Sequence, residues 1–307
     1  MDLRGRGKEK FGTDPIWNEV EPDSQGVVVT GDGTELHYQV FGDGFPVLCA
    51  NGIGVRYPGF ARQIVALRDR YRFVTWDYRG VGESKVSAQN LSFSMETHAE
   101  DALAVVDALQ LDRYAVVGWS MGVQVGLEII RRRPEQVAGF VALFGTYGRP
   151  FHTAFPTPIA DAVMQLFAAF HKVPEAGGKL VNLGTLLPDI AVPLLSTLRF
   201  ISPHTDPAVF VNNMQNVADA DHAAYFATML ELAQHDAADV LPDVACPTTI
   251  VSASRDYLTP PKVAKWMADQ IPGATCEVLD DASHFALIEY PDRVNELLET
   301  LLEKASR

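Results

Sequence analysis

Between residues 46 and 144, short continuous apolar runs alternate with longer amphipathic stretches, and nothing else in the chain restricts its fold as much. The runs are PVLCAN (46–51), YRFVTWDY (71–78), RYAVVGW (113–119) and VAGFVALF (137–144). A strand that is apolar along its whole length needs cover on both faces, which a parallel sheet between two layers of helix provides. The stretches around 59–69, 94–111 and from Ser120 to about 132 have helical spacing and supply that cover. The pattern halts at Phe144-Gly145 and resumes with strand CPTTIVSA (246–253), helix PPKVAKWMADQI (260–271), strand ATCEVLD (274–280) and a last helix from Pro291. Ahead of it, GVVVTGDGTELHYQVFG reads as an antiparallel hairpin turning at Gly31-Asp32-Gly33. These segments predict an α/β fold: a mostly parallel, eight-stranded sheet flanked by helices.

Residues 150–240 contain no convincing strand. Helical segments such as IADAVMQLFAAFHK, DPAVFVNNMQNV and DHAAYFATMLELAQHD are separated there by prolines and glycines. The organisation expected is a polar N-terminal extension over 1–25, a core formed by 26–148 and 241–307, and a helical cap over 149–240 inserted after the sixth strand. With 47% hydrophobic residues the chain can bury a large core. Its formal net charge of −14 argues against a surface for phosphate backbones. Arg131-Arg132-Arg133 reads as a helix end whose dipole favours positive charge. Cys49, Cys246 and Cys276 have no CxxC spacing and are expected as buried free thiols. The start, MDLRGRGKEKFGTDP, lacks an apolar h-region, and no apolar run reaches the roughly 18 residues of a membrane span. A cytoplasmic protein is the expectation.

The segment VVGWSMGVQVG (116–126) raises the question of chemistry. A strand ends at Gly118, a helix begins beyond Ser120, and the serine has a glycine two positions away on each side. Gly118-Trp119-Ser120-Met121-Gly122 is a G-x-S-x-G arrangement, in which a strained strand-to-helix turn lifts the serine hydroxyl clear of the sheet and larger flanking side chains would collide. It also aims the Met121 N–H, at a helix N-terminus, into the same space. The plainer reading is a serine N-cap between chance glycines, so the context decides. A serine near neutral pH needs a base, and the base an orienting acid. Of eight histidines, His284 follows the last strand and shares a sheet edge with Ser120. His152, His171, His204, His222 and His235 fall in the helical insert, while His37 and His98 need only packing or surface roles. Asp256, in ASRDYLTPP after strand 246–253, is the preferred acid over Asp280 and Asp281, which end the strand leading to His284 itself. The loop Asn51-Gly52-Ile53-Gly54 follows the strand at 46–51. Its small residues allow close approach, and the Ile53 N–H is the expected second donor beside that of Met121.

In these features the chain resembles the α/β-hydrolase superfamily, and within it the cap-bearing, esterase-like serine hydrolases. The resemblance covers roughly residues 25–305 and rests on GWSMG, NGIG, DYRGVGES (77–84), SRDYLTPP and SHF, with the order Ser120, Asp256, His284 that the family uses. It implies an α/β-hydrolase fold and a two-step reaction. His284 takes the Ser120 proton, Ser120 attacks a carbonyl carbon, Ile53 and Met121 hold the oxyanion, and Asp256 stabilises the imidazolium. Water then cleaves the acyl-enzyme. No metal and no organic cofactor are expected. One departure is Asn51, where the family commonly has histidine; an asparagine can hold the loop through hydrogen bonds of its own. Asp77 and Arg79 are read as anchors of a structural turn.

The expected partner is a small-molecule acyl substrate, an ester, thioester or lactone with an apolar acyl group. No nucleic-acid binding and no membrane insertion are expected, and assembly as a homodimer is left open. Asn51, Trp119, Phe167 and Phe226 are the substrate-contact candidates, although most cap apolar residues must pack helix on helix. Arg149 and Arg199 keep an anionic substrate open. Three rivals stand beside this reading. The same residues could serve carbon–carbon cleavage, acyl transfer or perhydrolysis. A dinucleotide-binding oxidoreductase is faintly suggested by Gly52-Ile53-Gly54, but the third glycine of that fingerprint is misplaced. A ligand-binding receptor with little turnover would keep the same residue types.

Overall fold

The computed structural model describes residues 20–87, 91–186, 188–197, 201–202, 205 and 207–307. The hairpin forms β1 (Ser24–Val29) and β2 (Glu35–Phe41), followed by β3 (Phe45–Ala50), α1 (Ala61–Leu67), β4 (Tyr71–Trp76), α2 (Met95–Ala108), β5 (Tyr114–Trp119), α3 (Met121–Arg132) and β6 (Val137–Leu143). Six helices come next: α4 (Pro150–Ala154), α5 (Thr157–Lys172), α6 (Pro174–Leu186), α7 (Pro188–Thr197), α8 (Pro207–Asp219) and α9 (His222–Gln234). The chain then returns through β7 (Thr248–Ala253), α10 (Pro261–Gln270), β8 (Thr275–Leu279), α11 (Ala286–Glu289) and α12 (Pro291–Ala305). Ser24 and Gln25, read from sequence as the end of a polar extension, already belong to the edge strand β1, while residues 1–19 lie outside the described residues.

All eight strands form one sheet in the order β1-β2-β4-β3-β5-β6-β7-β8. Only the pairings of β2, with β1 and with β4, are antiparallel; the other five are parallel. The helical cap is inserted after the sixth strand. Strand alternation sorts the core into two layers. Leu48, Val74, Val116, Phe140 and Ile250 face α2, α3 and α10, with Ala102, Leu127 and Met267 packed on that side. Their neighbours Val47, Phe73, Val117, Val141 and Val251 face α1 and α12, against Ile64, Leu298 and Leu302. Cover on both faces is what the unbroken apolar runs demand. Since β3 to β8 run in parallel, the loops after β3, β5, β7 and β8 all emerge at one rim, where ligands bind in open α/β sheets.

The DYRGVGES turn anchors the loop after β4. Arg79, 2% exposed, reaches Asp101 at 2.8 and 2.6 Å and Asp32 at 2.9 Å. Asp77 is buried and accepts from Arg56 at 3.1 Å and from the Glu83 N–H at 3.0 Å. The arginine triplet closes α3: Arg131 and Arg132 pair with Glu128, and Arg133 with Asp107. All three cysteines are free; Cys49 is buried, whereas Cys246 and Cys276 are only partly so. No helix among the described residues is long and apolar enough to cross a membrane.

Candidate active site

Ser120 sits between β5 and α3 with φ 56° and ψ −116°, a left-handed conformation that is strained for a residue with a side chain. The backbone around it leaves no room for larger neighbours. A Cβ on Gly118 would lie 2.3 Å from the Gly122 carbonyl oxygen, and one on Gly122 would lie 2.0 Å from that of Ala50. The two glycines are therefore required by close approach of backbone to backbone.

His284 follows β8 and is 7% exposed. Its Nε2 is 2.9 Å from Ser120 Oγ, and its Nδ1 is 2.8 Å from Asp256 Oδ2. Asp256, 2% exposed after β7, is held in turn from its own loop. Its Oδ1 accepts from the N–H groups of Leu258 and Thr259, each at 2.9 Å, and its Oδ2 from Thr259 Oγ1 at 2.6 Å. A continuous line of hydrogen bonds thus joins three loops distant in sequence. Asp280 and Asp281 take no part in it: Asp281 faces Arg255 and is exposed.

The Asn51–Gly54 loop reaches the same place, since a Cβ on Gly52 would lie 3.5 Å from the Ser120 Cβ. Among the described residues, the backbone N–H groups of Ile53 and Met121 donate to no other backbone group. Both residues line one narrow cavity, together with Gly54, Tyr78, Arg79, Val81, Tyr225 and Thr228. It has room for about one water.

The four residues singled out from sequence as substrate contacts are not in that wall. Trp119 is 1% exposed, and its indole N–H donates to the His284 carbonyl oxygen at 3.1 Å. Its ring lies between Phe60 and Phe285, so it braces the histidine loop from below. Phe226 is 2% exposed and packs within the cap on Phe167 and Phe170. Phe167 stacks on Phe151. Asn51 is buried, and its backbone carbonyl accepts from the Tyr78 hydroxyl at 3.1 Å. The hydrogen bonds expected of its side chain are absent, for neither side-chain atom has a partner among the described residues. The amide lies instead beside Gly59, Trp119 and Val55, in an apolar niche. Arg149 pairs with Asp236 at 3.2 Å, and Arg199 lies outside the described residues.

Two elements of the site gave no signal in the sequence. Glu289, in α11, accepts from Ser283 N–H at 2.9 Å and Ser283 Oγ at 2.6 Å, and also from Ser202 N–H at 3.0 Å and Thr205 Oγ1 at 2.5 Å. One carboxylate thereby ties the residue before His284 to the cap. Beside it, Phe210 of α8 meets Phe285 edge-on with centroids 5.1 Å apart. The other element is Tyr225 of α9, whose ring covers Gly54. At the cap root, Glu96, Glu128 and His235 bring possible metal-ligand atoms within 4.8 Å of one another. Arg131 and Arg132 already occupy Glu128 there, and their positive charge opposes a cation.

Comparison with known proteins places this architecture. A family model described as the alpha/beta hydrolase fold matches residues 46–291. The chain belongs to that family, and it is an α/β-hydrolase-fold enzyme. A 3-oxoadipate enol-lactonase of Acinetobacter baylyi is 25% identical over 277 residues, spanning 87% of this chain and 92% of that protein. A thermophilic esterase from Thermogutta terrifontis superposes with a TM-score of 0.73 at 23% identity, over 92% of this chain and 100% of the other. A meta-cleavage product hydrolase from Pseudomonas fluorescens gives a TM-score of 0.66 at 17% identity, over 91% and 98%. The last two likenesses concern the fold alone.

Proposed function

We propose that the protein is a serine hydrolase that cleaves a carboxylic ester, thioester or lactone through an acyl-enzyme, with Ser120 as nucleophile, His284 as base and Asp256 as orienting acid. The observation that carries this reading is the line of hydrogen bonds from Asp256 through His284 to Ser120, ending on a serine held in a strained turn. His284 Nε2 faces the hydroxyl and can accept its proton as Ser120 attacks the carbonyl carbon. Charge then forms on His284 and on the carbonyl oxygen together. Asp256 stabilises the first, and the N–H groups of Ile53 and Met121 hold the second, where loss of one donor costs on the order of 100–1,000-fold in rate. His284 next protonates the leaving group and activates the water that releases the acyl chain.

The likeness to an enol-lactonase over 87% of this chain supports lactone or ester cleavage over carbon–carbon cleavage or acyl transfer. Residues 149–240 are the cap that covers the acyl group, and the narrow cavity beside Ile53 and Met121 must widen beyond the volume of about one water before an acyl chain can enter. A fluorophosphonate probe followed by peptide mapping tests the assignment. Ser120 is the expected site of labelling, and Ser120→Ala is expected to lower kcat/KM on an activated ester by at least about 10⁴-fold with the fold intact. Labelling of a different residue, or turnover that survives the substitution, would refute it.

A further inference from the structure

Half of the large apolar side chains exposed among the described residues lie on three consecutive cap helices. They are Ile159 and Leu166 on α5, Val173 at its C-terminal cap, Leu180 on α6, and Ile190 and Leu194 on α7. Each is 51–64% exposed. The inner side of α5 and α6 is filled, because Phe167, Phe170 and Gly177 close on Phe226 of α9. Along α5 the exposed positions Ile159, Ala162, Leu166, Ala169 and Val173 follow one another at alternating spacings of three and four, an apolar seam of the kind through which two helices pair. The alanines leave room for close approach. Together the six large side chains present on the order of 600 Å², the upper limit for the largest apolar patch of a monomer.

We propose that this face docks a second copy of the same chain, with the two α5 helices antiparallel across a two-fold axis at Leu166. The seam is self-complementary in that arrangement. Leu166 meets its counterpart, and Ile159, seven residues before it, meets Val173, seven residues after it. Asp161 and Lys172 are three helical turns apart on one flank of the seam, so the same axis brings Asp161 of each copy toward Lys172 of the other. A parallel pairing opposes like charges instead. Within its own copy Asp161 faces His152, and both are exposed. Charge also selects the occupant. A net charge of −14 opposes self-association over most of the surface, whereas residues 157–197 hold only three acids and two lysines. Two lysines are a poor match to a membrane, for which apolar helix faces carry basic flanks. With the polar side chains at its rim, the face reaches the roughly 800 Å² that each side of a stable interface contributes. Such pairing is independent of the chemistry at Ser120.

Sedimentation velocity of the full chain from about 0.1 to 100 μM, the affinity range in which an interface of this size can fall, tests the pairing. A species of twice 33.6 kDa is expected. Leu166→Glu sets two carboxylates against each other at the axis and is expected to raise the dissociation constant at least about 100-fold. Val29→Glu, at a position 66% exposed on the edge strand β1, is expected to leave the dimer unchanged. Cysteine linking reads the direction. Leu166→Cys alone, and a mixture of Ile159→Cys with Val173→Cys, are expected to form disulfide-linked dimers on mild oxidation, above the wild-type background from Cys246 and Cys276. Ile159→Cys alone is not, because antiparallel copies hold those positions about 21 Å apart. A wild type that stays monomeric throughout, including one that binds phosphatidylcholine vesicles instead, overturns the proposal. So does a dimer that Leu166→Glu leaves intact, or one in which Ile159→Cys links to itself. The linking experiment decides the matter if Leu166→Glu folds poorly.

Discussion

Trp119 shows how far a residue's role depends on where its polar atom ends up. From sequence it is an aromatic side chain beside the serine, and a place against the substrate is a natural reading. In the fold it points under the rim, where its N–H holds the carbonyl of His284. Trp119→Phe keeps most of the volume but leaves that buried carbonyl without its partner, a loss of about 1–3 kcal/mol. Displacement of His284 is expected to lower kcat by about tenfold or more, because misplacement by 1 Å can cost about 100-fold. Thermal unfolding monitored beside steady-state kinetics checks both, and unchanged kcat in a destabilised variant would limit Trp119 to packing. The glycines are the opposite case. Gly118 and Gly122 were legible because crowding in a strand-to-helix turn is local, set by residues two apart.

Among elements, the cap holds the least legible information. Its helices carry apolar residues at helical spacing, and such spacing is satisfied equally by packing against a neighbouring helix or by facing a cavity. Phe167 and Phe226 took the first option, Tyr225 the second. The tie between cap and histidine loop is also invisible in sequence, since Glu289 and the Ser202 and Thr205 groups it binds lie far apart in the chain. Glu289→Gln replaces an acceptor by an amide N–H in a ring of donors. At least one contact is lost, at a cost of about 1–3 kcal/mol. Hydrogen exchange read peptide by peptide is expected to quicken in α8 and the residues before it, with β5 and β6 unaffected. Equal quickening in the central strands would mean that Glu289 supports the whole fold and does not hold the cap in particular.

For the whole molecule, the cap root and the core are joined at Glu128 of α3. Its carboxylate accepts from His235 at 3.0 Å and pairs with Arg132 and Arg131. Burial opposes its ionisation, but these partners outweigh burial and bring its pKa down to about 2. A carboxyl depressed on folding adds stability above its unfolded value, near 4.5, and that stability is lost as pH falls toward 2. After discounting for solvent screening the contribution is about 1–2 kcal/mol. Denaturant unfolding of wild type and Glu128→Gln is therefore expected to show a gap at pH 6 that shrinks by more than half at pH 3. A gap independent of pH would trace the loss to packing. By itself the sequence determined the order and type of the core elements, and with them the placing of Ser120, His284 and Asp256 on loops that a parallel sheet must bring to one rim. Periodicity and turn sterics are local, so they survive in one dimension. Only the tertiary structure decided which buried polar atoms find partners, as for Asn51, Trp119 and Glu289, because a hydrogen bond between distant segments depends on direction and distance that no local pattern of residues encodes.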